Sequence, residues 1–490
     1  MRISSHFAIA RLTHAFSSSI AGADVRPAAG RTLTFSFCGV NRRSYLLPGR
    51  SDALRRPAGA RRGTATQTNP PSQGYSGVSP MNIAMVSVHT NPVATEASSC
   101  EGVRVHVAEL ARELGRQGHR VTIYTRRDGL GSGDRVRLAP RVNVEFISAG
   151  DALPMSEQEV FPHVHEFADK LAKRLVAGRP DVIHAHHWLS GLVAMSAADG
   201  LGIPIVQSFH GPASLRGRSA GEVSPARLRV ERAIGRGVDA LIAITETECT
   251  ELTRLGVTRK RIAAVPSGVD SERFTPQGRA LLPRGENPRI VMLSRRFAED
   301  GVTTVIKALA RIPGAELVLA GGPAPDELDG DPGIHRLRIA AEEAGVDDRV
   351  TFLGRIDPAD VPGLLRSADL TVSLPSHQSF GRVPVESMAC GTPVVVTPVG
   401  GHLDTVIDDV TGVYARPDRP AELARRIRGL LAERTHLTAL GIGGADRARS
   451  RYSWERIANE TVKVYDSLLP AAEPGQDTHE EEDVELAVAS

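Results

Sequence analysis

Aromatic residues make up only 4% of this 490-residue chain. A surface built to stack unpaired bases needs such rings, so single-stranded nucleic acid is a poor match. Cysteine is equally scarce: Cys38, Cys100, Cys249 and Cys390 stand far apart, with no CxxC pair and no histidine at zinc-ligand spacing. That excludes a disulfide framework, and reduced structural thiols in a cytoplasmic protein are expected. No stretch reaches eighteen uncharged apolar residues, the length a spanning helix requires, so no membrane span is expected. Lysine is nearly missing, five against fifty-four arginines, a bias expected of a GC-rich genome.

Net charge is also small, +2, and it divides unevenly. Residues 1–80 carry eleven Arg and two Asp, and residues 471–490 carry seven acids and no Lys or Arg. The body between them is neutral, so no nucleic-acid partner is expected. The Arg-, Ser- and Gly-rich first eighty residues share a composition with transit peptides. They read better as an over-extended start or a disordered extension, because Met81 directly precedes the first clean strand. The tail around Glu480 reads as disordered and solubilising.

What is present is regular. The length implies two domains. Apolar, β-branched runs at 82–88, 119–125, 142–147, 181–186, 204–210, 240–245 and 262–265 alternate with helical patterns, including 103–117. After a Pro/Gly/Arg-rich stretch the alternation restarts. Strands are expected at 289–293, 315–320, 349–353, 369–374, 393–397 and 411–415. Helices are expected at 302–311, 334–344, 361–368, 383–389 and 420–431, and a last one at 454–469. Such alternation predicts α/β architecture, two consecutive doubly wound parallel sheets. The units are an N-terminal domain at 81–275, a linker at 276–288, a C-terminal domain at 289–453, a terminal helix at 454–470 and the tail. Open parallel sheets bind outside their carboxyl ends, which puts a site in the cleft between the two units.

The most informative segment is HQSFGRVPVESMACGTPVVVT, residues 377–397. A strand enters a polar loop, and Ser379-Phe380-Gly381 opens a helix whose free amides suit a phosphate or diphosphate. Glu386 lies one and a half turns in, where a carboxylate suits a ribose diol. The same pattern also fits an ordinary capped helix with a solvated glutamate.

This segment resembles the signature of the family 4 retaining glycosyltransferases of GT-B fold, E-x-F-G-x-x-x-x-E before an A-C-G-x-P-V-V strand. Asp181-Val-Ile-His-Ala-His-His-Trp-Leu-Ser-Gly191, Ser208-Phe209-His210, Val265-Pro-Ser-Gly-Val-Asp270 and Val399-Gly400-Gly401 resemble further family motifs in order and spacing. Residues 85–94 are similar to the opening of its actinobacterial inositol-phosphate branch. The resemblance spans about residues 81–470. It implies two Rossmann-like domains facing a central cleft, a nucleoside-diphosphate sugar donor and a small hydroxylated acceptor, with no cofactor and no metal. It also implies that Glu386 holds the ribose and that Arg295, with the amides around Phe380-Gly381 and Gly400-Gly401, holds the diphosphate. His210 would contact the donor sugar, and the loop 91–102 would lie near diphosphate and acceptor.

Four positions depart from the family pattern. The second cation of the Arg-x4-Lys clamp is Asp300, the first Glu of the E-x7-E pair is Gln378, and the opening Gly-Gly pair is Glu101-Gly102. Glu157 stands where relatives place an acceptor-side cation. Two outcomes stay open: an active enzyme with altered substrates, or a chain that kept the fold and lost catalysis. His184, His186 and His187 invite a metal, yet on a strand the first two share a face and the third turns away. Asp329-Gly-Asp331 reads as a solvated turn, and Trp454 as a packing anchor at a helix start.

Overall fold

The computed structural model describes residues 79–94, 101–129, 133–215, 224–295, 297 and 300–470. The expectations for residues 1–78, for the acidic tail and for the stretch 95–100 lie outside the described residues.

The first sheet comprises β1 (Asn82–Ser87), β2 (Arg120–Arg126), β3 (Arg135–Ala139), β4 (Val142–Ile147), β5 (Val182–His186), β6 (Ile205–Ser208), β7 (Ala240–Ala243) and β8 (Ile262–Ala264). Their order is β3-β4-β2-β1-β5-β6-β7-β8, parallel except for β3, which runs antiparallel at the edge. The second sheet comprises β9 (Arg289–Leu293), β10 (Glu316–Ala320), β11 (Val350–Gly354), β12 (Leu370–Ser373), β13 (Val394–Val396) and β14 (Val413–Tyr414). Its order is β11-β10-β9-β12-β13-β14, with all pairs parallel. These are the two doubly wound sheets that the apolar runs predict.

The helices of the first half are α1 (Glu101–Arg116), α2 (Glu157–Val160), α3 (Val164–Gly178), α4 (Trp188–Ala197), α5 (Pro225–Gly237) and α6 (Glu246–Arg254). Those of the second half are α7 (Val302–Leu309), α8 (Pro332–Glu343), α9 (Val361–Arg366), α10 (Arg382–Ala389), α11 (His402–Thr405), α12 (Pro420–Ala432) and α13 (Arg434–Tyr452), with α14 (Trp454–Asp466) last. Alternate residues of β1 enter opposite cores, as the period-two side-chain geometry of a strand requires. Ala84 and Val86 pack with Phe167, Leu171 and Leu189 from α3 and α4. Ile83 and Met85 pack with Val107, Leu110 and Leu114 from α1.

Helix α14 returns to the first sheet. Trp454, Ile457, Val462 and Tyr465 share the core of Ile83 and Leu114. The chain therefore crosses between the domains twice, and the crossings are tied together. The Val269 amide donates to the Tyr452 carbonyl at 2.7 Å, and a Cβ on Gly268 would stand 2.4 Å from the Trp454 ring. The chain between the two sheets runs pinned to α9: the Arg366 guanidinium donates to the carbonyls of Thr275 and Arg279, both at 3.2 Å.

Among the elements that differ from the sequence reading are β3, α13 and α1. β3 was not anticipated, because a half-exposed edge strand with arginines carries no apolar run. Helix α13 was not anticipated either, since Gly441, Gly443 and Gly444 interrupt its pattern. Helix α1 starts two residues before the expected 103, at Glu101. Asp331 caps α8 by accepting from the Ile334 amide at 2.9 Å, and Asp329 pairs with Arg338. No helix among the described residues is long and apolar enough to cross a membrane.

Candidate active site

In each sheet the strand order reverses beside its first strand, between β1 and β5 and between β9 and β12. At such a switch point the flanking loops part and leave a crevice at the carboxyl ends. The residues singled out from the sequence follow these strand ends. His187 follows β5, His210 follows β6, Arg295 follows β9, and Gln378 to Gly381 follow β12.

On the C-terminal side, Gly381 caps α10 at φ +91°, in the left-handed region that favours glycine. Behind it Glu386 is 5% exposed, and its Oε1 accepts from Arg382 Nε at 2.6 Å. The Gly401 amide donates to the Gln378 carbonyl at 2.9 Å. A Cβ on Gly400 would meet that carbonyl at 2.0 Å, and one on Gly401 would meet the Phe380 carbonyl at 2.3 Å. These two glycines therefore answer to the contact between their own loop and the Gln378–Phe380 loop. Phe380 is buried against Tyr452. Asp300 accepts from the Ser294 hydroxyl, so its carboxylate is held at the end of β9 beside the exposed Arg295.

Sequence reasoning passed over Arg382. Burial alone would pull its guanidinium down; the carboxylates of Glu386 and, on the facing α1, of Glu101 and Glu109 outweigh that and hold it above its ordinary range. Glu101 itself pairs with Arg104 on its own helix. A Cβ on Gly102 would meet nothing within 4 Å, so no packing demands a glycine there.

On the N-terminal side, six histidines gather. His184 is buried, with Nδ1 2.6 Å from the Tyr465 hydroxyl and Nε2 2.8 Å from Ser208 Oγ. His186 Nδ1 meets His210 Nε2 at 3.1 Å. The His106 ring lies 4.7 Å from that of His210, and its Nδ1 is 3.0 Å from Ser267 Oγ. Burial lowers His106 to about 4 and His184 to about 3; burial and then the neighbouring imidazoles hold His186 and His210 well below their ordinary value. At neutral pH this is a set of uncharged hydrogen-bonding rings. His210 sits at φ +57°, and the following Gly211 reaches the other domain, where a Cβ would stand 2.8 Å from Ser379 Oγ.

His187 does turn away from His184 and His186. Its backbone lies at φ +74°, ψ 156°, a region almost reserved for glycine and costly for other residues. It faces His89, with ring centroids 4.0 Å apart, and Glu157 Oε1, 3.2 Å from its Nε2. Glu157 Oε2 also accepts from Trp188 Nε1 at 3.1 Å and Arg227 Nη1 at 2.9 Å.

Among the described residues, two trios offer ligand atoms within 4.8 Å of one another: His106, His186 and His210, and His89, Glu157 and His187. Neither is the His184, His186, His187 set that the sequence suggests. In the second trio a guanidinium already shares the carboxylate, an arrangement that favours anions over cations. Partners more than a hundred residues apart, such as His106 and Ser267, carry no local signal.

Comparison with known proteins gives the family and the fold. Residues 101–273 match the model of Glycosyltransferase Family 4, and residues 275–447 that of Glycosyl transferases group 1. D-inositol 3-phosphate glycosyltransferase of Mycobacterium tuberculosis is 32% identical over 409 residues, covering 79% of this chain and 83% of that protein. The structure of sucrose-phosphate synthase from Thermosynechococcus elongatus superposes with TM-score 0.71 at 28% identity, over 79% of this chain and 99% of the other. HepE of Anabaena, in complex with UDP and glucose, gives TM-score 0.62 at 21% identity, over 79% and 100%.

Proposed function

The chain belongs to glycosyltransferase family 4, and on that premise we propose that it moves a hexosyl group, with retention, from a nucleoside-diphosphate sugar to a small hydroxylated acceptor. Transfer from a nucleotide-sugar donor follows from the family. The hexose, the retention and the kind of acceptor are our reading. One observation carries it: Gly211, next to the buried His210, closes on Ser379, in the loop that leads through Gly381 into the helix of the buried Glu386.

In this reading Glu386 accepts from the ribose hydroxyls, and the α10 amides with Arg295 take the diphosphate. His210 touches the sugar as a neutral ring. The acceptor oxygen bonds to the anomeric carbon on the face that the diphosphate leaves. The bond from that carbon to the phosphate oxygen breaks, and the leaving oxygen takes the acceptor's proton. No side chain is needed as general base, and no metal, because cations and helix amides meet the developing charge.

A second reading, a non-catalytic nucleotide- or sugar-binding relative, draws on Asp300 in place of a cation and on Arg382 covering Glu386. Calorimetric titration of the full-length protein with UDP, GDP, ADP and their hexose conjugates separates the two, with Asp300→Lys alongside. Micromolar binding of one diphosphate by the wild type is expected. Binding only by Asp300→Lys would favour the second reading. Binding by neither would remove the donor site altogether.

A further inference from the structure

Three groups from two parts of the fold converge on the Glu157 carboxylate. Trp188 Nε1 comes from the start of α4, His187 Nε2 from the strained residue before it, and Arg227 Nη1 from the first turn of α5. Each is fixed from behind. The Arg227 Nε edge is held by Glu231 Oε1 at 3.0 Å, and Glu231 in turn accepts from the Ala213 amide at 2.9 Å. The guanidinium also lies over the Trp188 ring, 5.3 Å from its centroid, and the Phe161 ring stacks with that indole, centroids 5.8 Å apart. His187 stacks against His89.

Glu157 itself is delivered by a short element. α2 has only four residues, set by a capping box in which Ser156 Oγ accepts from the Glu159 amide and Glu159 accepts from the Ser156 amide. Burial alone would push the Glu157 carboxyl up; His187, Arg227 and Trp188 outweigh it and keep it ionised, well below the usual carboxylate range. A guanidinium, an indole N–H and an imidazole aimed at one point form a cradle for a tetrahedral or planar anion. It sits at the carboxyl end of β5, at the first sheet's switch point, where a ligand of this domain binds.

We propose that this cradle is a phosphate-sized anion site which Glu157 fills from within, so that the pocket takes an uncharged polyol there and refuses a phosphorylated one. The proposal rests on the acceptor side of the reading above. The relatives named for D-inositol 3-phosphate supply the contrast: their substrate carries the anion that this chain supplies itself.

The test uses the full-length protein with inorganic phosphate and acetate as probes. Glu157→Ala leaves the two rings without their anion and Arg227 with Glu231 alone, so it is expected to melt several degrees below wild type. Phosphate or acetate at millimolar concentration is expected to return most of that loss, by binding the folded state alone. Phosphate is expected to bind the variant at least about tenfold more tightly than the wild type, a change of about 1.4 kcal/mol. Arg227→Met added to Glu157→Ala is expected to abolish the rescue. Glu157→Gln, which keeps the shape and drops the charge, gives the same readout if the alanine variant does not accumulate.

Equal phosphate binding by wild type and variant, or a folded variant indifferent to both anions, would overturn the proposal. Titration of the same samples with UDP, GDP and ADP keeps the readings apart. Loss of nucleotide binding alone sinks the donor assignment and leaves the cradle standing, whereas loss of the phosphate effect alone sinks the cradle.

Discussion

Arg382 Nε donates to Glu386 Oε1 across 2.6 Å, one turn apart on α10, so the carboxylate assigned to the ribose is neutralised by its own helix. The same guanidinium feels Glu101 and Glu109 on the facing helix. It therefore brings a cation to the cleft wall on which Asp300 places an anion. Arg382→Leu is expected to weaken nucleoside-diphosphate binding about tenfold, or about 1.4 kcal/mol, and to leave binding of the bare nucleoside nearly unchanged. Asp300→Lys in that background is expected to recover most of the loss. Titration calorimetry at two salt concentrations checks this, since a lost charge contact also lowers the salt dependence. Undiminished diphosphate binding by Arg382→Leu would confine the residue to holding Glu386.

Glu248 links pH to the same cleft. It is buried, and its oxygens accept from the Ile244 amide at 3.1 Å and the Gly211 amide at 3.4 Å. Burial raises it from 4.5 to about 7; the two amides pull it down and Glu231 pushes it further up. Between those values the folded chain keeps a proton that the unfolded chain has lost, so this group's contribution to stability falls as pH rises from about 4.5 to about 7. Glu248→Gln removes that slope. Urea unfolding at pH 5 and pH 8 is expected to show a smaller drop in the variant, by on the order of 2–3 kcal/mol. The buried histidines work in the opposite direction in both proteins and cancel in the difference.

Tyr465 joins the last helix to the first sheet through a single side-chain hydrogen bond, its hydroxyl to His184 Nδ1 at 2.6 Å. The other His184 nitrogen is already engaged by Ser208. Tyr465→Phe keeps the ring and leaves a buried imidazole nitrogen without its partner, at a cost of about 1–3 kcal/mol. Equilibrium unfolding in urea measures it. A cost under about 0.5 kcal/mol would mean that His184 finds another partner when the hydroxyl is removed.

The legible parts of this protein were those with a local physical signal. β5 is buried along its whole length, and so VIHAH follows an apolar lead-in that reads directly as a strand. The helix start at Gly381 announces itself because only a few residue types serve there. β3 gave no such signal, being an edge strand with arginine at alternate positions. The centre of the site was less legible for a different reason. Glu157 reads from the sequence as a missing cation, but its three partners stand thirty to seventy residues away and meet it only in the fold. Arg382 sits at a position that the family motif leaves open, so nothing in the motif flagged it.

The glycines of the cleft divide into two kinds, and alanine substitution distinguishes them. Gly400 lies at φ +47°, with a Cβ position 2.0 Å from the Gln378 carbonyl. Backbone cannot yield as a flexible side chain does, so Gly400→Ala is expected to displace the 377–381 loop and cost about 2 kcal/mol or more. Donor binding should fall with it, through lost structure. Gly102 has no neighbour within 4 Å of its Cβ position and lies in the first turn of α1. Gly102→Ala is therefore expected to leave stability unchanged or to raise it by up to about 1 kcal/mol. If the donor or acceptor approaches that backbone, affinity falls while stability does not. Urea unfolding and nucleotide titration on the two variants decide the matter. Unchanged affinity in Gly102→Ala would move the ligand away from the start of α1 and leave Glu101 as no more than a partner for Arg104.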